Sequence, residues 1–428
     1  MASSDVPFTD LLSAIVDNRG RTCPTSEDGL PLIATNCIKN DALYPVFEKI
    51  RHVSTETYNT WFRGHPEPDD IIFVCKGSPG RVCMTPDPVS FCIAQDMVAV
   101  RADPEKIYPR YLFAVLRSSE VQRRIGNMHV GTLIPHFKKG DFNRLRLPVP
   151  DRLMQEFIGD VYYLLSLKIE LNRRMNRTLE KMAAAIFKSW YIDFDPVHAK
   201  AEGRDPNLPA NIADLFPDTF EASDLGPIPK GWTPGKLADV ADNPRRTVKP
   251  SDVPPTTPYI GLQHMPRRCI ALDAWGRADE VGSGKSQFKE GEILFGKLRP
   301  YFHKVGIAPV DGVCSTDILV VVPKSPEWQS YVLSLVSSKA FVDYTDSHSA
   351  GTKMPRTNWK DMGRYPLALP PEPLAKAFQG HVAALHQRIG LAVRQNRRLA
   401  SLRDTLLPKL LSGEIELPEA EALVEGGT

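Results

Sequence analysis

From Phe157 onward the apolar positions of this chain fall into a regular step. Phe157, Val161, Leu164, Leu171, Met175 and Met182 follow one another at intervals built from four and three, with Lys168 and Thr178 in the skipped places, and no proline interrupts before Pro196. That spacing predicts one helix with an apolar seam, about 40 residues and roughly 60 Å long at 1.5 Å per residue. A second seam runs through Phe378, Val382, Leu385, Ile389, Ala392, Asn396, Leu399, Leu406 and Leu410, introduced by Pro370, Pro371 and Pro373 and closed by Gly413. Two such helices bury their seams most economically against each other, and an antiparallel pair follows if a pseudo-twofold axis relates them. The alternative is that each helix covers only its own domain.

Elsewhere the period shortens to two. Ile71-Ile-Phe-Val-Cys75 and Met97-Val-Ala-Val100 predict short strands between Pro and Gly breaks, with a helix near Tyr111 to Ile125. These strings have counterparts about 220 positions further on: Pro68 to Phe73 in Glu290 to Phe295, Gln95 to Val100 in Thr316 to Val321, Gly131 to Pro135 in Gly351 to Pro355, and Asn176-Arg-Thr-Leu179 in Asn396-Arg-Arg-Leu399. A period of half the chain is too long for a solenoid and points to a duplicated unit of domain plus helix. The expected architecture is therefore α+β: two similar mixed α/β domains (1–150 and 230–370) joined by two long antiparallel coiled-coil helices (151–192 and 371–413), with a crossover linker (193–229), a mobile tail (414–428) and a pseudo-twofold internal repeat. The apolar anchors Leu215-Phe216 and Ile228 to Trp232 predict an ordered linker.

The 428 residues leave room for two or three domains, and 42% hydrophobic content lets each bury a core. No apolar run approaches the roughly 20 residues that span a bilayer, and the start Met1-Ala-Ser-Ser-Asp-Val-Pro7 lacks the basic and apolar regions of a signal peptide, so a cytoplasmic location is expected. Seven cysteines without a C-x-x-C pair predict inert thiols rather than a disulfide framework or a zinc site. The net charge of +2 conceals an uneven distribution. Residues 230–370 carry 19 Lys and Arg against 14 Asp and Glu, whereas the linker 193–229 carries 2 against 8. Local excess positive charge is what a phosphate backbone requires, although solvated loops share that composition.

Catalytic signatures are harder to find. Gly282-Ser-Gly-Lys-Ser286 ends like a phosphate-binding loop, but the position of its first glycine holds Asp279, and a strand and helix context is lacking. There is no G-x-G-x-x-G, no Asn-Pro-Pro-Tyr or Asp-Pro-Pro-Tyr and no H-E-x-x-H, and His129 and His136 have no partner at catalytic spacing. The chain reads as a binder, neither enzyme nor cofactor carrier. Candidate DNA contacts are the polar loops in corresponding places of the two copies. In the first copy these are Lys76, Arg81, His129, Thr132, His136, Lys138 and Lys139; in the second, Lys297, Arg299, His303, Lys304, Thr352, Lys353 and Arg356. Side chains of these types reach base edges and phosphates together.

The longer strings carry a resemblance. Leu147-Pro-Val-Pro150, Ala185-Ile-Phe-Lys-Ser-Trp-Tyr-Ile-Asp-Phe-Asp-Pro-Val197, Gly226-Pro-Ile-Pro-Lys-Gly-Trp232, Gly291-Glu-Ile-Leu-Phe-Gly-Lys-Leu-Arg-Pro-Tyr301 and Leu406-Leu-Pro-Lys-Leu-Leu-Ser-Gly-Glu-Ile415, in this order, resemble the specificity subunit of type I restriction-modification systems. The resemblance implies two target recognition domains, each reading one half of a split double-stranded DNA site, and a helical spacer that docks two methyltransferase subunits. It also implies that S-adenosylmethionine binds to those partners, and that two motor-nuclease subunits using ATP and Mg2+ join in a restriction complex. The first copy departs from the pattern, with Cys75-Lys-Gly-Ser-Pro-Gly-Arg81 where the second has Gly296-Lys-Leu-Arg-Pro-Tyr301. Two rival readings are a coiled-coil scaffold whose end domains bind proteins and a self-contained methyltransferase.

Overall fold

The computed structural model describes residues 4–18, 21–128, 135–351 and 353–415. It divides into two compact units, residues 1–171 with 398–428, and residues 172–397. Residues 416–428, most of the tail expected to be mobile, lie outside the described residues.

In the first unit a four-stranded antiparallel sheet runs in the order Leu12–Asp17, Met97–Ala102, Ile71–Val74, Val82–Met84. Beside it stand three strands, Arg51–Val53, Leu30–Ile33 and Cys92–Ile93, the last two parallel. A ribbon of Ser4–Pro7 with Arg146–Val149 closes the domain. The second unit repeats this plan and adds two strands to the smaller sheet. Its four-stranded sheet is Ala241–Asp242, Ile318–Pro323, Ile293–Gly296, Val305–Ile307. Its smaller sheet again has a parallel pair, Pro258–Ile260 with Gly312–Cys314, flanked by Gly276–Arg277 and enlarged by Lys285–Phe288 and Thr247–Val248. Thr233–Lys236 and Pro366–Leu369 form its closing ribbon. The duplication seen in the strings is thus a duplication of topology.

The unbroken apolar runs Ile71 to Val74 and Ile293 to Phe295 are the reason both domains have two apolar layers. Successive side chains of a strand point to opposite faces, so Ile71 and Phe73 enter one core while Ile72 and Val74 enter another. In the second unit Ile293 and Phe295 take one side and Leu294 the other. Each domain then adds a helix pair, Pro109–Arg117 with Ser119–Met128 and Gln329–Val336 with Lys339–Ser347. Ser118 and Ser338 sit at the junctions, their hydroxyls accepting from the amides of Val121 and Phe341 at 3.3 and 3.2 Å, as helix N-caps do.

The long helices are Arg152–Tyr191 and Glu372–Ser412. Within the first unit Ile158 and Tyr162 lie with Leu406 and Leu410, and Leu165 and Ile169 with Leu399. Within the second, the Asn172 amide donates to Asn396 Oδ1 at 2.9 Å and Phe187 meets Phe378 at 6.0 Å between ring centres. Rising numbers on one helix meet falling numbers on the other, so the pair is antiparallel in each unit.

The second helix buries its expected seam, but the first requires a correction. Leu164, Leu171 and Met182, expected in the seam, are 55%, 50% and 48% exposed. The contact positions fall one residue further on: Ile158, Tyr162, Leu165, Ile169, Asn172, Asn176 and Ala183 are buried, and Phe187 continues their line. One residue rotates a side chain by about 100° around a helix of 3.6 residues per turn. The shift is possible because Asn172 finds Asn396 and Gln395 across the seam, both at 2.9 Å, which satisfies a polar group that hydrophobicity alone would have placed outside. A stripe of leucine and methionine is left facing outward.

The linker is held by the anchors read in the sequence. Phe216, Ile228 and Trp232 are buried in the second core, with Phe216 edge-on to Trp190 at 5.3 Å and Trp232 at 5.8 Å from Tyr191.

Candidate nucleic-acid interface

Both domains place the loop after the central strand against the segment before the closing ribbon, and they use the same backbone bonds. In the second unit the Arg299 amide donates to the Pro355 carbonyl at 2.7 Å, Thr357 to Lys297 at 3.1 Å and Lys297 to Asp317 at 2.9 Å. In the first, Gly77 donates to Pro135, Phe137 to Cys75 and Cys75 to Asp96, all at 2.9 Å. The isolated antiparallel bridges Leu298 to Arg356 and Lys76 to His136 lie at corresponding places.

This pairing gathers Lys297, Arg299, Lys353 and Arg356 at one place in the second unit. Arg299 Nη2 reaches the Lys353 carbonyl at 3.4 Å, and Arg356, 55% exposed, stands 3.4 Å from Asp317. Arg299 and His303 both have a left-handed backbone, φ +52° and +51°, which a residue with a Cβ adopts only under constraint. Such strain concentrates at ligand clamps, and here the Arg299–Pro355 bond and the turn Pro300–Phe302 hold it.

The same turn sends His303 and Lys304 elsewhere. His303 Nε2 lies 2.8 Å from the Ser337 carbonyl, and burial lowers the pKa of its half-covered ring. Lys304 Nζ donates to the Leu262 carbonyl. Neither joins the exposed basic group.

In the first unit Lys76, Lys138 and Lys139 are exposed, whereas Arg81 and His136 are half-buried. Lys139 is paired with Asp17 at 2.5 Å. His129, Thr132 and Thr352 lie outside the described residues.

Beside Lys297 lies a recess that no sequence motif announces. It measures about 280 Å3 and is lined by Asn243, Arg245, Asn358 and Trp359 among others. Arg245 has φ +47°, a second constrained cation at the same edge. Its only sequence signal is the dipeptide Arg245-Arg246 inside a basic domain; Arg246 itself is engaged by Glu292 at 2.5 Å. The Gly282 to Ser286 string runs into the strand Lys285–Phe288, not a helix, and Lys285 Nζ turns back to the Ser283 carbonyl at 2.6 Å.

Comparison with known proteins agrees with this duplicated design. No protein-family profile matches the chain. It is 23% identical over 379 residues to the type I restriction enzyme HindI specificity subunit of Haemophilus influenzae, covering 76% of this chain and 82% of that one. With the EcoDI specificity subunit of Escherichia coli it shares 24% identity over 407 residues, 89% of this chain and 84% of the relative. The chain is a relative of type I restriction specificity subunits. The MjaIX specificity subunit of Methanocaldococcus jannaschii is 22% identical over 324 residues, 73% of this chain and 70% of its own. The fold is also that of the type I restriction-modification S subunit from M. genitalium, with a TM-score of 0.52 and 96% of each chain covered at 15% identity. Two mixed α/β domains and two long antiparallel helices therefore form a specificity-subunit fold.

Proposed function

We propose that the chain is the non-catalytic specificity subunit of a type I restriction-modification complex, each domain reading one half of a bipartite DNA site. The observation that carries this reading is the loop pair, built with the same three backbone bonds in both units and bearing exposed Lys or Arg in each. Loops fixed by their backbones leave cationic side chains outward, where phosphate contacts set position and base-edge contacts set sequence. The methyltransferase partners would supply S-adenosylmethionine, and motor-nuclease partners ATP and Mg2+. No helix among the described residues is long and apolar enough to cross a membrane, and a cytoplasmic complex fits a DNA target.

Binding to a duplex carrying the modified sequence tests the loop. Lys353→Ala and Arg356→Ala are each expected to weaken specific binding, by about 1 to 3 kcal/mol where a bidentate base contact is lost. Wild-type affinity in both variants at moderate salt removes this loop from the interface. The salt dependence separates the rival scaffold reading: phosphate neutralisation makes DNA affinity fall steeply with salt, and a protein-binding scaffold shows no such slope.

The outward stripe Leu164 and Leu171 supplies a face for a methyltransferase subunit. Two half-exposed leucines seven residues apart form an apolar seam on one side of a helix. Leu164→Glu with Leu171→Glu is expected to abolish co-purification of the methyltransferase while changing thermal stability little, because exposed substitutions usually stay within about 0.5 kcal/mol. A methyltransferase that still co-purifies in full places its docking face elsewhere.

A further inference from the structure

One cavity of the second unit takes no part in the loop pair. It measures about 380 Å3 and lies between the first long helix, the Arg268 to Ile270 segment and the helix pair at Ser337. That volume falls within the range of small-ligand sites, which begin near 300 Å3.

The internal repeat shows how the space arises. The equivalent caps Ser118 and Ser338 align Arg117 with Ser337, and the strings starting at Asn176 and Asn396 align Ala183 with Arg403. In the first unit both arginines are interior, 9% and 6% exposed. Arg117 donates to the carbonyls of Lys39, Ala42 and Val82, while Arg403 donates to Ser166 Oγ at 3.3 Å and lies over the Tyr162 ring. In the second unit these two places hold a serine and an alanine, and both line the cavity.

Positive charge is instead found at the rim. Arg177, Lys181 and Arg268 line it and are exposed, joined by Lys339, which is shared with Asp343. The single carboxylate lining the cavity, Glu180, already accepts from the Ile270 amide at 3.2 Å and the Cys269 thiol at 3.4 Å. Like charges around a concave mouth repel one another and focus a potential that draws an anion. Arginine forks match the oxygens of a phosphate in particular.

We propose that this cavity binds a phosphate group, held by Arg177, Lys181 and Arg268. Two sources share that chemistry: the DNA backbone beyond the recognition loop, which rests on the specificity reading above, and a free nucleotide. The full-length protein distinguishes them. ATP and inorganic pyrophosphate are added during thermal melting of the wild type, of the double variant Arg177→Ala/Lys181→Ala, and of Ser337→Arg. The last restores the arginine that the first unit accommodates at the equivalent place. A melting temperature that rises with either probe in the wild type and in neither variant assigns the cavity to a free nucleotide. If no probe acts, but the double variant binds duplex DNA with a log affinity against log salt slope shallower by about one per phosphate lost, with the modified sequence unchanged, the phosphate belongs to DNA. No shift with either probe and an unaltered salt slope overturn the proposal. Should the wild type bind no DNA at all, the specificity reading falls, and the melting arm alone decides the cavity.

Discussion

Replacing residues 230–370 with the matching domain of a related specificity subunit is expected to change one half of the methylated sequence and leave the other half as it was. The chain makes this exchange possible by how it enters and leaves the domain. Thr233–Lys236 pairs antiparallel with Pro366–Leu369, in register from Thr233 opposite Leu369 to Lys236 opposite Pro366, so both cut points fall beside one ribbon. The first domain is closed in the same way, Ser4 opposite Val149. Between those ribbons the second domain has its own central strand and carries one apolar layer whole, that of Leu294 with Ile260 and Phe288. The layer of Ile293 and Phe295 also packs on Phe187, Tyr191 and Phe378 of the long helices, so the incoming domain has to come from a relative that presents a similar apolar face to those helices. The loop pair travels too, because Lys297 to Arg299 and Pro355 to Thr357 both lie inside the exchanged segment. Each mismatched base pair typically costs about 1 to 3 kcal/mol, so a wrong half-site of several pairs is not methylated at all. Methylome sequencing of a host carrying the hybrid is the measurement. A change in both halves contradicts the independence of the two domains, and a change in neither removes residues 230–370 from recognition.

Which parts of this were legible in the sequence depended on how strongly each contact position differs from its neighbours. The duplication was legible because Ile71 to Phe73 and Ile293 to Phe295 must be apolar on both faces, leaving little freedom to drift. The second seam was legible for a similar reason: Phe378, Val382, Ile389, Leu399, Leu406 and Leu410 are large, apolar and buried. The first seam was misread by one residue. Its contact positions include Asn172, Asn176 and Ala183, while the outward face carries Leu164, Leu171 and Met182. Hydrophobicity does not tell an apolar residue buried in the seam from one left on the outer face of the same helix, so the larger outward residues outweighed the small and polar contact positions. Strand order stayed out of reach because strands of two to six residues carry too few positions to show which neighbour each one pairs with. The candidate basic loops were chosen by residue type, but type does not give direction. Arg299 and His303 stand four residues apart with similar left-handed backbones, yet one side chain reaches the Lys353 carbonyl and the other the carbonyl of Ser337.

Arg117→Ala is expected to be the most destabilising single substitution named here, by about 1 to 3 kcal/mol for each buried carbonyl left without its donor. In sequence Arg117 is one arginine at the end of a short helix, with nothing to mark it. In the fold its Nη2 donates to three backbone carbonyls from two separate parts of the first domain: Lys39 at 3.2 Å and Ala42 in one turn, and Val82 at 2.8 Å. The guanidinium also lies 4.4 Å from the centre of the Phe113 ring. Burial lowers its pKa, so it is held by these acceptors at a cost in desolvation. Truncation removes the donor and leaves the carbonyls facing an unfilled, largely dry space, which costs more than the hydrogen bonds themselves contributed. The second unit solves the same geometry with Ser337 and an open cavity, so the arginine is a feature of one copy and not of the shared fold. The destabilisation is therefore expected to be confined to the first unit. Hydrogen exchange followed residue by residue measures it: in Arg117→Ala, amides of Ile71–Val74 and Met97–Ala102 should exchange faster, while those of Ile293–Gly296 and Ile318–Pro323 keep their protection. Equal acceleration in both sheets would mean that the two units unfold as one, and a shift below about 1 kcal/mol would mean that water reaches the three carbonyls in place of the guanidinium.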